Sequence, residues 1–296
     1  MVTAVAALSI AIVLVPRCAN AAEPAAPRDH HRLKWRWHRF TAAEYVLTGV
    51  LAATYLTIEF GVKPPSEANW RGGILFDDDV RDAMVANSRA GRDRAAIASD
   101  IFTVAPQLIA AFDTVVVPLA FDDWNFDVAA QMGIIDIQTV AIIGLFSRIG
   151  HRFIARERPD VEPCRSDREY NGLCLRGALA SFPSGHTASA FGGAGLVCAH
   201  HAHLPLYGGG IQDVLVCVAA SAMATTAGVL RLTSDRHYAS DVLVGAAFGV
   251  GAGFALPYFV HYRKPEGQPE QRPQSGWGLE PIVTQDSVML GVSGFF

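Results

Sequence analysis

Apolar residues in this chain gather into long runs, and short charged clusters separate them. Six runs read as helical spans: 44–63, 102–121, 128–147, 187–200, 213–230 and 242–260. A helix needs about 20 mostly apolar residues to cross a bilayer. Five runs approach that length, and the run at 187–200, "TASAFGGAGLVCAH", is short. Several carry a polar group within or at the edge of the run: Glu44, Glu59, Asp113, Gln131 and Asp136. The competing reading is therefore an all-helical soluble protein with buried helices. The expected fold class is all-α, a six-span transmembrane helical bundle. Gly245, Gly249 and Gly253 recur every fourth residue in the last run. Small residues at that spacing let two helices approach closely, which predicts a tight bundle.

Composition supports the membrane reading. Hydrophobic residues make up 51% and charged residues 18% of the 296, against about 25% charged in ordinary soluble domains. Net charge is -4, so no nucleic-acid partner is expected. Three regions follow: an N-terminal segment at 1–40, a helical membrane domain at 41–263, and a linker and tail at 264–296. The first residues, "MVTAVAALSIAIVLVPRCANAA", resemble a cleavable leader with an "ANA" site, but lack positive charge near Met1. The basic aromatic stretch "HHRLKWRWHRF" that follows belongs on the cytoplasmic side, with Trp35 and Trp37 at the interface. These two signals conflict. The basic stretch abuts the first convincing span and is given precedence, which places 148–186 and 231–241 on the outer side. The tail ends in two β-like runs around "QDS", a candidate C-terminal hairpin.

Five cysteines are present. Cys164 and Cys174 bracket a short polar outer loop, where a disulfide and two free thiols both fit and the compartment favours the bridge. Cys18, Cys198 and Cys217 lie in apolar segments and read as small buried residues. His200, His201 and His203 read as a polar turn without zinc-site spacing. Asp77–Asp79 reads as the acidic first turn of a helix.

Three polar clusters stand at the expected outer ends of the spans. They are "HRFIARERP" (His151–Pro159), "FPSGHTASAF" (Phe182–Phe191) and "RLTSDRHYASD" (Arg231–Asp241). Arg152, Arg156, Arg158 and Arg231 offer planar forks of donors that match phosphate oxygens. Ser184 can cap the helix after "PSGH", whose free N–H groups form an anion site, and Gly185 lets a ligand come close. His237 and Asp241 are four residues apart on one helical face. A carboxylate on one imidazole nitrogen leaves the other free to attack, and His186 can protonate a leaving oxygen.

These residues resemble the signature of the type 2 phosphatidic acid phosphatase (PAP2) superfamily: Lys-x6-Arg-Pro, Pro-Ser-Gly-His, and Ser-Arg-x5-His-x3-Asp. Here Arg158–Pro159, Pro183–His186 and Arg231, His237 and Asp241 match. Two positions depart: His151 stands at the family lysine and Leu230 at the serine before the arginine. The resemblance implies a helical bundle of the PAP2/haloperoxidase-like type. It assigns His237 as nucleophile, Asp241 as its orienting group and His186 as acid and base. Phosphate binding falls to Arg158, Ser184, Gly185 and Arg231, with His151 or Arg152 in the lysine's place. No cofactor and no metal are expected. The implied activity is hydrolysis of a lipid phosphate or pyrophosphate at the outer face of a bacterial-type inner membrane. Alternatives with the same anion pocket are a secreted acid phosphatase and a vanadate-dependent haloperoxidase. A further one is a lipid-binding protein without activity.

Overall fold

A computed structural model describes residues 32–263 in full, and the backbone of 276–284 and 287–295. The leader-like residues 1–22 and the linker after Arg263 lie outside the described residues. Chain contacts divide the molecule into two compact units, one of residues 33–268 and a smaller one that includes the C-terminal strands.

The larger unit is helical. Helix α1 (Ala42–Gly61) opens with a capping box: Glu44 N donates to Thr41 Oγ1, and Thr41 N donates to the Glu44 carboxylate. Helix α2 (Asp77–Met84) has the expected acidic first turn. Helix α3 (Arg89–Ala111) runs through a π-helical turn at Phe112–Val116 into α4 (Val117–Ala120). Helix α5 (Phe126–Ile149) ends in a π-helical turn at Gly150–Ile154, and short α6 spans Val161–Ser166. Then come α7 (Gly185–His203), α8 (Ile211–Thr233) and α9 (Ala239–Val250), the last extended by π-helical turns to His261.

Among the described residues, four stretches are long and apolar enough to cross a membrane: Arg89–Ala120, Phe126–Ile154, Ile211–Thr233 and Ala239–His261. The runs at 44–63 and 187–200 form α1 and α7, which are not among those four. Helix α7 differs for a physical reason. It is enclosed by α3, α8 and α9, so its small residues serve helix packing. The outer helices expose large apolar side chains, among them Leu108, Ile137, Leu215 and Leu243. A water-facing surface does not ordinarily carry so many.

The glycine ladder of α9 packs on α7. A Cβ added at Gly245, Gly249 or Gly253 would lie 2.6, 2.5 or 2.1 Å from the carbonyl oxygens of Ser184, Ala188 and Gly192. No side chain fits there. The same close approach between α7 and α8 corrects the reading of Cys198 and Cys217 as unpaired: their Cα atoms are 4.6 Å apart and the sulfurs are bonded.

The histidine stretch also differs from its expected role as a turn. Helix α7 continues through it, burying His200 and His201. His200 Nε2 lies 2.9 Å from Asp136 Oδ1, and His201 lies between Asp213, at 2.5 Å, and Asp113, at 3.1 Å. Carboxylates far away in sequence satisfy them. Trp35 is buried rather than interfacial, packing with Trp37 against Tyr262. In the smaller unit, β1 (Gly276–Thr284) pairs antiparallel with β2 (Ser287–Phe295), with Thr284 opposite Ser287.

Candidate active site

The three polar clusters meet at one end of the helical unit, where α5 ends, α7 begins and α8 turns into α9. Each is fixed by local chemistry. Ser184 caps α7 through its side chain and Thr187 N, while its own N–H donates to the Asp241 carbonyl at 3.1 Å. The segment before α7 is thereby tied to the first turn of α9. Between α8 and α9, Asp235 takes a left-handed conformation with φ 59°. Its carboxylate accepts two bonds from Arg81, each 2.7 Å, and one from Tyr170 OH at 2.8 Å. Next to it, Arg236 donates to Asp160 at 2.7 Å. These bonds hold the two residues before His237 in one conformation.

His237 is buried. Its Nδ1 donates to the Ser181 carbonyl at 2.7 Å, and its Nε2 has no hydrogen-bond partner among the described residues. Asp241 Oδ2 is 3.9 Å from Nδ1, beyond hydrogen-bond range. The Asp241 carboxylate instead accepts Arg156 Nη1 and Ser181 Oγ, both at 2.6 Å, and Tyr238 N at 2.9 Å. Asp241 and the His237 imidazole thus grip the same residue, Ser181, by its hydroxyl and its carbonyl. Arg156 is fully buried, paired also with Asp77 at 2.8 Å and lying between the rings of Trp70 and Tyr238. The acidic first turn of α2 therefore supplies a buried counter-ion as well as a favourable dipole contact.

Arg231 Nη1 donates to Ser99 Oγ at 3.0 Å and lies 3.6 Å from Asp100 Oδ1. The same oxygen is 3.0 Å from His186 Nε2. Arg158 is buried, and among the described residues its guanidinium donates only to the Ala180 carbonyl, with two contacts of 3.3 Å. Burial, then repulsion from Arg236 and Arg231, pushes its proton affinity well below the usual range. Burial, then the positive charges of Arg158 and Arg231, likewise pushes the His237 pKa well below its ordinary 6.5. Both effects describe a pocket of positive potential that an anion would relieve.

His151 stands against the "PSGH" segment: its Nε2 is 3.0 Å from the Pro183 carbonyl, and its buried Nδ1 has no partner among the described residues. Since that carbonyl only accepts, a neutral His151 carries its proton on Nε2 and presents a lone pair at Nδ1. Arg152 is not brought to the cluster. It donates to the Glu59 carbonyl at 3.1 Å, toward α1. A side chain at Gly185 would meet Ser147 Oγ at 3.5 Å and His151 Cε1 at 3.6 Å, ordinary contact distances. Packing alone does not demand glycine there, whereas an anion approaching the α7 N-terminus would. Cys164 and Cys174 form a disulfide, Cα–Cα 5.4 Å, that closes the loop between the first two clusters. A cavity of about 630 Å³ adjoins His151 and is lined by Arg71, Arg148 and Arg152 among others. Among the described residues no group of three His, Cys, Asp or Glu could hold a metal ion.

Sequence reasoning missed three members of this arrangement: Asp100, Ser181 and Arg156 as a counter-ion. Ser181 stands two residues before Pro183 and Arg156 two before Arg158, so proximity to the motifs was their signal. Asp100 lies on α3, far from every motif, and carried none.

Residues 135–265 match the family model described as the PAP2 superfamily. A curated protein named lipid A 1-phosphatase, from Porphyromonas gingivalis, is 33% identical over 140 residues. That alignment covers 46% of this chain and 26% of the relative, so the chain spans about a quarter of the relative's length. No solved structure matches. The family model covers the C-terminal part of α5, all of α6, α7, α8 and α9, and every signature residue described above, so over this stretch, which is less than half of the chain, the protein is similar to the PAP2 superfamily.

Proposed function

We propose that this chain is a metal-independent phosphatase that hydrolyses a lipid phosphate or pyrophosphate through a phosphohistidine. The observation that carries the reading is His237 Nε2: buried, unpartnered among the described residues, and close to two buried arginines. The phosphoryl oxygens bind Arg158, Arg231 and the N-terminus of α7 at Ser184 and Gly185. His151 contributes once protonated, because its neutral form offers no donor at Nδ1. His237 Nε2 attacks phosphorus as the bond to the leaving oxygen breaks. His186, protonated and held at Nε2 by Asp100, gives its Nδ1 proton to that oxygen. Water then attacks the phosphohistidine, His186 takes its proton, and inorganic phosphate leaves. Arginines supply the charge neutralisation that such a transition state needs.

The lipid character of the substrate is supported by the four apolar stretches and by the relative's name. In this reading α1 and α7 complete six spans. The basic residues Lys34, Arg36 and Arg39 mark the cytoplasmic end, so the site faces the periplasm or exterior.

The deciding experiment measures phosphate release from phosphatidic acid and from a soluble aryl phosphate by detergent-purified protein with EDTA, beside His237→Ala. Lipid-preferring, EDTA-resistant release that His237→Ala abolishes supports the proposal. Equal or better turnover of the soluble ester points to an acid phosphatase, and no release of either overturns phosphatase activity.

A further inference from the structure

A second cavity, of about 340 Å³, lies between α1, α3, α5 and α7. Its walls are mostly apolar, and they lead away from the site along three helices at once. On α7, His186 is followed by Ser189, Gly193 and Leu196, which line the cavity. They begin about 4.5 Å and end about 15 Å along the axis from His186. On α3, Asp100 is seven residues before Gln107 and eleven before Ala111, both lining residues. Those spacings return to nearly the same face of a helix. On α5, the lining residues Val140 and Ile143 continue toward Ser147 and His151. Ser147 Oγ is buried without a partner among the described residues, between the cavity and the α7 N-terminus.

We infer that this cavity receives the hydrocarbon tail of the substrate whose phosphate binds beside His237. The inference rests on the phosphatase reading and specifies where its lipid lies. An apolar trough that starts one helical turn from His186 and opens past the half-exposed Val140 matches one long chain hanging from a phosphate. Bilayer chains are as apolar as these walls, so the trough adds little affinity by removing tail from water. Its effect is orientation: a seated tail aims the phosphate at His237, which raises kcat/KM for chained substrates.

Two variants fill the trough from different helices, Ser189→Phe and Val140→Trp. Both are expected to lower kcat/KM for a long-chain lipid phosphate about tenfold or more, while the soluble aryl phosphate keeps the value of the unaltered protein. Loss confined to the lipid in both variants supports the inference. Equal loss on both substrates, or no loss on either, overturns it.

A second measurement does not depend on turnover. A long-chain alkyl phosphonate carrying a photoreactive group at its tail end is crosslinked to the unaltered protein. Labelling at the lining residues of α3, α5 and α7 that excess inorganic phosphate removes supports the seated tail. Labelling elsewhere, or labelling indifferent to phosphate, overturns it. Failure of the phosphatase reading would show separately, as absence of phosphate release by the unaltered protein.

Discussion

The Ser181 carbonyl oxygen lies 2.7 Å from His237 Nδ1. A carbonyl can only accept, so the neutral imidazole carries its proton on Nδ1 and keeps a lone pair on Nε2. The tautomer that a nucleophile needs is thus set by backbone, and the Asp241 carboxylate acts one step away through the Ser181 hydroxyl.

The acid limb of kcat/KM follows from this environment. Burial and the charges of Arg158 and Arg231 lower the His237 pKa, so the imidazole stays neutral below pH 6.5. The acid limb due to His237 is expected below pH 6.5, measured on a soluble ester. The same depression costs stability in acid: the unfolded chain binds a proton near 6.5 while the native His237 does not. Stability falls as pH drops from there toward the lower native pKa. A limb above 6.5 would contradict the assignment.

Asp100 faces His186 and Arg231 together. Asp100→Asn removes a negative charge from the anion pocket and the group that holds protonated His186. We expect kcat to fall about 10–100-fold, while inorganic phosphate inhibits at lower concentration. Steady-state kinetics with phosphate as inhibitor reads both. Unchanged kcat would remove Asp100 from the proton-transfer step.

Arg156 neutralises Asp77 and Asp241, and all three side chains are fully buried. Arg156→Met would leave two buried carboxylates unpaired, a loss of about 3–5 kcal/mol. Thermal unfolding in detergent should show a large drop in Tm. A Tm within a degree of the unaltered protein would mean that water or relaxation already compensates the pair.

Gly249 packs against the Ala188 carbonyl with no room for a Cβ. Gly249→Val must push α9 off α7, at a cost of about 1–3 kcal/mol or more, and it shifts the turn that carries Asp241. Both Tm and kcat/KM are expected to fall. Gly251, where an added Cβ meets nothing within 4 Å, should tolerate alanine with little change and serves as the control.

The chain's order of apolar runs, the α9 glycine ladder and the spacing Arg231–His237–Asp241 are local patterns, so they could be read along the sequence. Residues three or four apart share a helix face whatever surrounds them. Partners far apart in sequence leave no such pattern. Asp100 meets His186 across 86 positions, and Ser181 meets His237 across 56, only because α3, α7 and the α8–α9 turn pack together. The spacing of His237 and Asp241 put them on one face, but the Ser181 carbonyl lies closer and accepts the hydrogen bond from Nδ1–H. His200 and His201 looked like a polar turn because their carboxylate partners stand on the π-helical turn after α3, on α5 and on α8. Cys198 and Cys217 looked unpaired because their bond depends on how closely α7 approaches α8. The sequence by itself determined which groups are available and which lie on a common helical face. Tertiary packing decided which donor reaches which acceptor, because hydrogen bonds and ion pairs depend on ångström distances that no local periodicity encodes.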